Sequence, residues 1–194
     1  MGKFRCDWCM SHPTYIAYHD EEWGVPIYDD AKLFEALLLE TFQAGLSWWA
    51  VLQKRDNFRK AFYYFDVKKI AQMTSYDVDV LMQDKGIIRN RGKINAAITN
   101  AQSFIKIQQE VGSFSDFMWT YSNGVPIQNN HTQTKELPQT TELATQMSSD
   151  LKKHGFKYIG KVTMYAHMQA VGMINDHVLD CFRHKEVANL VANN

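Results

Sequence analysis

Cysteine and proline, which stabilise small secreted and fibrous proteins, are scarce in this sequence. It contains 3 cysteines and 4 prolines among 194 residues. Three cysteines cannot build a disulfide framework, and the prolines are too few for a fibrous chain. No apolar run approaches the ~20 residues that a helix needs to cross a bilayer, and the opening MGKFRCDWCM lacks the apolar core of a secretory signal. We therefore expect a reduced, cytoplasmic protein that does not act in a membrane.

An excess of either charge is also absent. Lys and Arg total 21, as do Asp and Glu, so the formal net charge is zero. A bulk polycation is excluded, but nucleic-acid binding requires only a local basic surface. Basic residues gather within 54–60, 85–93 and 152–161, and the last two clusters lie beside glycine-bounded turns. Each cluster fits either a solvated helix face or a contact with phosphate.

Helical periodicity dominates the chain, and alternating strand patterns are nearly absent. Apolar residues three and four apart predict helices over about 30–42, 47–62, 75–85, 90–105, 114–121, 142–153, 157–171 and 175–184. The stretch 122–141, rich in Asn, Gln and Thr, predicts a surface loop. We expect one all-α unit, 1–194, or two helical lobes that share a pocket, with a weakly specified tail over 183–194.

Cysteine and histidine are few but concentrate near the two ends of the chain. His177 and Cys181 are four residues apart, which on a helix places both side chains on one face. Imidazole nitrogen and thiolate sulfur suit zinc. Two further ligands would come from the N-terminal segment, which offers Cys6, Cys9, His12 and His19. Spacing favours the CxxC pair, although one Cys with one His also completes a site.

A catalytic zinc is the weaker alternative. His19-Asp20-Glu21 is an HxE, as in zinc nucleobase deaminases, but those enzymes carry a PCxxC downstream. Here the CxxC lies upstream, without a preceding proline. The GxGxxG, GxxxxGK[ST], GxSxG and HExxH motifs are absent from the sequence. Of the two kinds of zinc site, the pattern favours a structural metal that ties the chain ends together. Three scattered cysteines and an unrelated histidine, without any metal, are the alternative.

An isolated acid lies in an apolar helical stripe. Glu40 shares one face of its predicted helix with Leu33, Leu37 and Ala44. Burial of a carboxylate costs several kcal/mol unless it is paired, so Glu40 forms a structural ion pair or serves a function. Aromatic residues crowd the same region: Trp8, Tyr15, Tyr18, Trp23, Trp48 and Trp49. An acid among aromatics suits a pocket for a planar, cationic ligand, and an aromatic-rich core is the alternative.

Several motifs together resemble the DNA-3-methyladenine glycosylase I family. They are YIAYHD at 15–20, EWGVP at 22–26, LExxxAGLSW at 39–48, GIIRxRGKI at 86–94, GFKYIG at 155–160 and NDHV at 175–178. The resemblance spans about residues 4–182, with the motifs in the expected order. It implies an all-α fold of the helix-hairpin-helix DNA glycosylase superfamily.

The resemblance also implies an activity and its site. A member would flip 3-methyladenine out of alkylated double-stranded DNA, hydrolyse its glycosidic bond and leave an abasic site. We expect this chain to act as a monomer without an obligate protein partner. Glu40 would be the catalytic residue. The base would be bound by Tyr15, Tyr18 and Trp48, with Trp8 and Trp23 close by. One structural zinc would be held by Cys6, His19, His177 and Cys181, leaving Cys9 as a bystander.

The resemblance further implies contacts with DNA. The hairpin Gly155–Gly160, with Lys157 and Lys161, would meet the phosphate backbone, as would Arg89 and Arg91. Asn175 takes the place that a catalytic Asp holds in the wider superfamily, and no lysine stands where a strand-nicking lyase needs one. A tip formed by Gly45 and Leu46 would wedge into the duplex, unless Leu46 instead packs on Val51 or Ala50. A helical DNA-binding module without catalysis is the competing function.

Overall fold

A computed structural model describes residues 2–192, and most of these residues are helical. The helices are α1 Pro13–Glu21, α2 Asp30–Gln43, α3 Trp48–Leu52, α4 Arg55–Ala61, α5 Val67–Ala71, α6 Ser75–Leu81, α7 Arg91–Val111, α8 Phe114–Trp119, α9 Glu142–Lys153, α10 Lys161–Ala170 and α11 Phe182–Ala192. Single 3-10 turns cover Asp7–Cys9, Tyr63–Phe65, Thr120–Ser122 and Thr134–Glu136. Two short strands, β1 Ile127–Gln128 and β2 Ile174–Asn175, pair in parallel. The predicted all-α class is confirmed.

Short polar side chains begin the principal helices. Asp29 accepts a hydrogen bond from the backbone of Lys32 at 2.9 Å at the start of α2. Ser47 and Asn90 cap α3 and α7 in the same way. Each side chain satisfies one of the backbone N–H groups that a helix start leaves without a partner. The predicted starts of α2 and α7 are therefore correct to within a residue.

The core is built around α2. Its residues 33, 34, 37–39 and 42 are buried, and the helix packs against α3, α7, α8 and α10. Because neighbours cover α2 on several sides, a polar side chain on its covered faces is withdrawn from water. This placement explains why Glu40 lies in the interior rather than on a solvated face.

The predicted helices are wrong at two places: at the turn Gly155–Gly160, and at the segment that contains His177 and Cys181. The turn Gly155–Gly160 is not helical, so α10 begins at residue 161 rather than 157. The helix predicted over 175–184 was wrong: β2 and a turn precede α11. The side chain of Asn175 donates to Gln128 and to the carbonyl of His184, and accepts from the backbone of His177. These bonds give the backbone an alternative to the helix.

Other segments also differ from expectation. The predicted helix 47–62 is interrupted after residue 52, and the loop 122–141 contributes β1. The predicted weak tail contains α11, in which Val187 is fully buried. Residues 193 and 194 of that tail lie outside the described residues. Within residues 2–192, none of the helices combines the length and the apolar character needed to span a bilayer.

Candidate functional site

A cavity of about 190 Å³ lies between α1, the C-terminal turn of α2 and α10. Its walls are Trp8, Tyr15, Tyr18, Trp23, Glu40, Gln43, Trp48, Leu137, Ala166 and Gln169. The acid and the five aromatic residues assigned to a base pocket from the sequence therefore meet in one place. We call this space the aromatic cavity.

Glu40 is the acid of the aromatic cavity. It is only 3% exposed, and its Oε2 makes no hydrogen bond to any described residue. Desolvation raises the pKa of this carboxyl to about 8. A buried polar atom without a partner costs about 1–3 kcal/mol. The structural ion pair considered for Glu40 is therefore not formed, and the carboxyl is placed to receive a donor or a cation from a ligand.

The aromatic walls hold one another in place. The ring centroids of Trp8 lie 5.0 Å from those of both Tyr15 and Trp23, and Tyr18 lies 5.3 Å from Trp48. Burial, with the nearby Glu40 carboxyl, raises the pKa of the Tyr18 phenol well above its usual value. The phenol therefore keeps its proton as a hydrogen-bond donor. The indole Nε1 of Trp48 is buried and makes no hydrogen bond to a described residue.

Gln169 is a cavity residue that the sequence reasoning missed. Its side-chain nitrogen donates to Asp176 at 2.7 Å, and Tyr165 and Asn129 donate to the same carboxylate. Because an ionised carboxylate only accepts, the amide of Gln169 must turn its nitrogen towards Asp176. Its carbonyl oxygen is thereby left for the cavity. Asp176 is 1% exposed, so it positions neighbours and is not open to a reacting group.

Between α2 and α3 the chain makes an exposed turn. Gly45 has φ +80°, a conformation that favours glycine, and Leu46 is 45% exposed. The alternative in which Leu46 packs into the core does not fit that exposure. The ammonium of Lys93 donates to the carbonyls of Phe42, at 2.7 Å, and Ala44. Lys93 thus anchors the turn, a role that its place in a basic cluster did not reveal.

The hairpin Gly155–Gly160 is held by hydrogen bonds to Asn100 of the neighbouring helix α7. Asn100 accepts from the backbone nitrogen of Lys157 at 2.7 Å and donates to its carbonyl at 3.1 Å. Lys157 and Lys161 are exposed. A Cβ on Gly92 would lie 2.5 Å from the hydroxyl at the end of the Tyr158 side chain, so the hairpin packs closely against the start of α7. The hairpin, the start of α7 and the Leu46 turn are therefore successive neighbours.

The two arginines predicted to contact DNA lie at this start of α7. Arg89 and Arg91 are both exposed, and Arg91 also pairs with Asp79 at 2.7 Å. Together with the lysines of the hairpin they provide a local basic surface on a chain of zero net charge. Such a surface, with two helix N-termini beside it, can bind phosphate.

A buried Cys and His cluster joins the two ends of the chain. The donor atoms of Cys6, His19, His177 and Cys181 lie within 4.8 Å of one another. The Cys181 sulfur is 3.5 Å from His19 Nε2 and 3.6 Å from His177 Nδ1, and the Cys6 sulfur is 3.8 Å from His177 Nδ1. A tetrahedral zinc site has sulfur–nitrogen edges of about 3.6 Å. The cluster could hold a metal.

The outer nitrogens of the two histidines also have partners. His19 Nδ1 lies 2.8 Å from Asp20, and His177 Nε2 lies 3.0 Å from the carbonyl of Trp23. Such partners orient the imidazoles of metal sites. Four buried donors would leave no position for a reactive water. This arrangement does not support the deaminase alternative, whose required acid, Glu21, is exposed.

The CxxC pair favoured by spacing does not form. The thiol of Cys9 donates to the carbonyl of Cys6 at 3.1 Å, within the 3-10 turn, and is not a member of the cluster. His12 instead begins α1, where it accepts from the backbone of Thr14. The ligand set implied by the family resemblance is therefore the one that the structure brings together.

Comparison with known proteins identifies the family of this chain. A model of the methyladenine glycosylase family matches residues 8–184. The chain belongs to that family. It is 46% identical over 177 residues to the DNA-3-methyladenine glycosylase of Haemophilus influenzae, covering 91% of this chain and 96% of that protein. It is 49% identical over 177 residues to DNA-3-methyladenine glycosylase 1 of Escherichia coli, covering 91% and 95%.

Solved structures extend the agreement to the fold. A crystal structure of a 3-methyladenine DNA glycosylase I superimposes with a TM-score of 0.90 at 47% identity, over 92% of this chain and 98% of that one. The enzyme from Staphylococcus aureus, studied for its recognition of 3-methyladenine, gives a TM-score of 0.89 at 41% identity, over 92% and 95%. The family resemblance stated from the motifs is thus confirmed.

Proposed function

We propose that this chain is a monofunctional DNA repair glycosylase that releases 3-methyladenine from alkylated double-stranded DNA. The observation that carries the proposal is the lone carboxyl of Glu40, buried without a hydrogen-bond partner for Oε2 in a cavity walled by aromatic rings. A protein that only binds DNA has no need of such a cavity. The names of the relatives agree with this activity.

The chemistry follows from the charge of the substrate. Methylation at N3 makes the purine cationic and a good leaving group. When its bond to C1′ breaks, the electron pair stays with the base, which leaves neutral. Water adds its oxygen to C1′ and loses a proton, and an abasic site remains. The pocket therefore needs selectivity for a cationic base more than strong acid–base power.

Glu40 and the aromatic rings supply that selectivity. A cation in the cavity draws the proton from Glu40, since opposite charge favours the ionised carboxyl. The carboxylate accepts from the exocyclic amine of adenine and repels a keto oxygen at the same place. The faces of Trp48 and Tyr18 favour a cationic ring over a neutral one. The free carbonyl of Gln169 is a further acceptor at the cavity wall.

The exposed turn and the basic surface account for DNA binding. A flipped nucleotide leaves a gap in the duplex, and an apolar side chain can fill it. Leu46 lies between Gln43 and Trp48, both of which line the aromatic cavity. Lys157, Lys161 and the arginines at the start of α7 are placed for the phosphates. The chain would act as a monomer, because these elements all come from one copy.

A zinc ion fits the Cys and His cluster in donor type and spacing. Cys6, His19, His177 and Cys181 would hold it. The metal would be structural: it would fix the N-terminal segment, which carries Trp8, against the segment after β2. No step of the reaction passes through it.

The proposal is tested by incubating the protein with methylated duplex DNA and identifying the released bases by mass spectrometry. We expect free 3-methyladenine and intact, alkali-sensitive strands. Glu40→Gln should bind and release this base about tenfold to a hundredfold less well, because a charge-assisted hydrogen bond is worth ~1.5–3 kcal/mol. Glu142→Gln, at an exposed position away from the aromatic cavity, is the matched control. Binding of DNA without release of any base would instead support the non-catalytic module.

A further inference from the structure

A second cavity of about 370 Å³ borders the aromatic cavity. The two share Tyr18, Glu40 and Trp48. The remaining lining of the second cavity comprises Glu21, Glu22, residues 25–29, Lys32, Glu35, Ala36, Leu39, Arg55, Arg59 and Ala170. Its volume falls in the range of ligand-binding clefts, about 300–1,000 Å³. It is therefore large enough for a free purine.

The two cavities follow one face of α2. Lys32, Ala36 and Leu39 line the second cavity, Gln43 lines the aromatic cavity, and Glu40 lines both. These positions are three or four residues apart, so they form a single stripe. From residue 43 back to residue 32 the stripe runs about 16 Å along the helix. The second cavity thus leads from the aromatic cavity away from the turn proposed to enter DNA.

Ion pairs brace the second cavity without filling it. Arg55 of α4 donates to Glu22 at 2.8 Å, and Arg59 donates to Glu35 of α2 at 2.9 Å. Both pairs are partly exposed to solvent. They hold α4 against α1 and α2 and give the cavity a polar wall that is partly exposed to solvent. Such a wall suits a small polar solute in transit better than a tightly held apolar ligand.

Three side chains separate the two cavities. This partition consists of the side chains that both cavities share, and the rings of Tyr18 and Trp48 meet at 5.3 Å. Trp48 is the first residue of the five-residue helix α3 and is only half-buried. Passage from one cavity to the other would require the side chain of Trp48 to move.

We propose that the second cavity is the exit for the excised base. This inference rests on the proposed function. DNA held at the Leu46 turn covers the aromatic cavity, so a base released there needs another way out. After the bond breaks, the base is neutral and its attraction to Glu40 falls. It then passes the Tyr18–Trp48 partition and leaves beside Arg55 while the abasic DNA remains bound.

Binding of free 3-methyladenine to a DNA complex tests the exit. The protein is saturated with duplex DNA that carries a tetrahydrofuran abasic analogue, and binding is followed by stopped-flow quenching of tryptophan fluorescence. We expect the base to bind this complex at a rate close to that for the free protein. Ala36→Phe narrows the second cavity and should slow binding to the complex about tenfold or more. Its single-turnover excision rate should stay unchanged.

The controls separate blockage from damage. Ala31→Phe makes the same change on an exposed face of α2 outside the cavity and should leave both rates unaltered. If Ala36→Phe does not fold, Lys32→Phe takes its place, because Lys32 lines the end of the second cavity that is farther from Glu40. Failure of the base to bind the wild-type complex, or normal binding in the narrowed variants, would overturn the exit. Absence of both base excision and base binding to the free protein would instead overturn the proposed function.

Discussion

Lys93 donates its ammonium group to the backbone carbonyl of Phe42 at 2.7 Å. This bond joins the first turn of α7 to the last turn of α2. Carbonyls at a helix C-terminus lack intrahelical partners, and a cation there is favourable. Lys93 is 5% exposed, so the bond is shielded from water. The position of the Leu46 turn therefore depends on a residue remote in sequence.

Lys93→Met should weaken DNA binding more than base binding. Methionine keeps much of the apolar stem but leaves the carbonyls of Phe42 and Ala44 without their donor, at a cost of about 1–3 kcal/mol. We expect the affinity for abasic-analogue DNA, measured by fluorescence anisotropy, to fall about tenfold. Affinity for free 3-methyladenine should change little. Lys106→Met, at an exposed site on the same helix, is the control. Equal loss of both affinities would show that Lys93 supports the aromatic cavity and not the turn.

The raised pKa of Glu40 predicts a specific dependence of stability on pH. In the unfolded chain the carboxyl titrates near its usual 4.5, whereas in the folded protein it titrates at about 8. The folded state thus holds the proton more tightly. Protonation of Glu40 therefore adds to the free energy of unfolding. This stabilisation is complete below pH 4.5 and is lost as the pH rises to 8, by at most ~1.4 kcal/mol per pH unit.

Glu40→Gln removes that dependence. The melting temperature of the wild type, relative to E40Q, should therefore decline from pH 5 to pH 8. Measurement of both proteins by calorimetry at several pH values checks this, and the difference between them cancels contributions from other groups. Glu21→Gln controls for the general loss of a carboxyl. A constant difference across this range would show that Glu40 is ionised in the empty cavity.

The metal cluster predicts different outcomes for two neighbouring cysteines. Cys6→Ala removes a proposed zinc ligand and should lower both the zinc content and the melting temperature. Cys9→Ser should do neither, because the serine hydroxyl can still donate to the carbonyl that the Cys9 thiol meets at 3.1 Å. Elemental analysis and thermal unfolding, with and without a chelator, give both readouts. Loss of zinc from C9S would mean that the CxxC pair binds the metal after all.

Much of the fold is readable from local pattern, and the exceptions have identifiable causes. The start of α7 at Asn90 and both ends of α9 agree with the prediction, because apolar spacing and caps act over a few residues. The segment after residue 174 does not, because its backbone is held by the side chain of Asn175 and by pairing with β1. Apolar spacing alone carries no information about such bonds.

The candidate site, like the fold, was predictable from the sequence only in part. An acid in an apolar stripe identified Glu40, and the density of aromatic residues identified its neighbours. The roles of Gln169 and Lys93 depend on partners far along the chain or on backbone carbonyls. The choice between Cys9 and His19 as a metal ligand depends on the 3-10 turn Asp7–Cys9, which directs the Cys9 thiol to the carbonyl of Cys6. Spacing could not decide these points, whereas the folded arrangement shows which side chains lie together.

Leu46→Ala should separate DNA binding from stability. Leu46 is 45% exposed, so truncation should cost far less than the ~2–5 kcal/mol expected for a buried leucine. The melting temperature and the affinity for free 3-methyladenine should therefore hold. Without an apolar wedge the gap left by the flipped nucleotide stays open, and unstacking costs a few kcal/mol per step. Affinity for abasic-analogue DNA and the single-turnover excision rate should both fall, by about tenfold or more. Val111→Ala, an exposed apolar site at the far end of α7, is the control. A variant that melts several degrees lower yet excises at the normal rate would return Leu46 to the core.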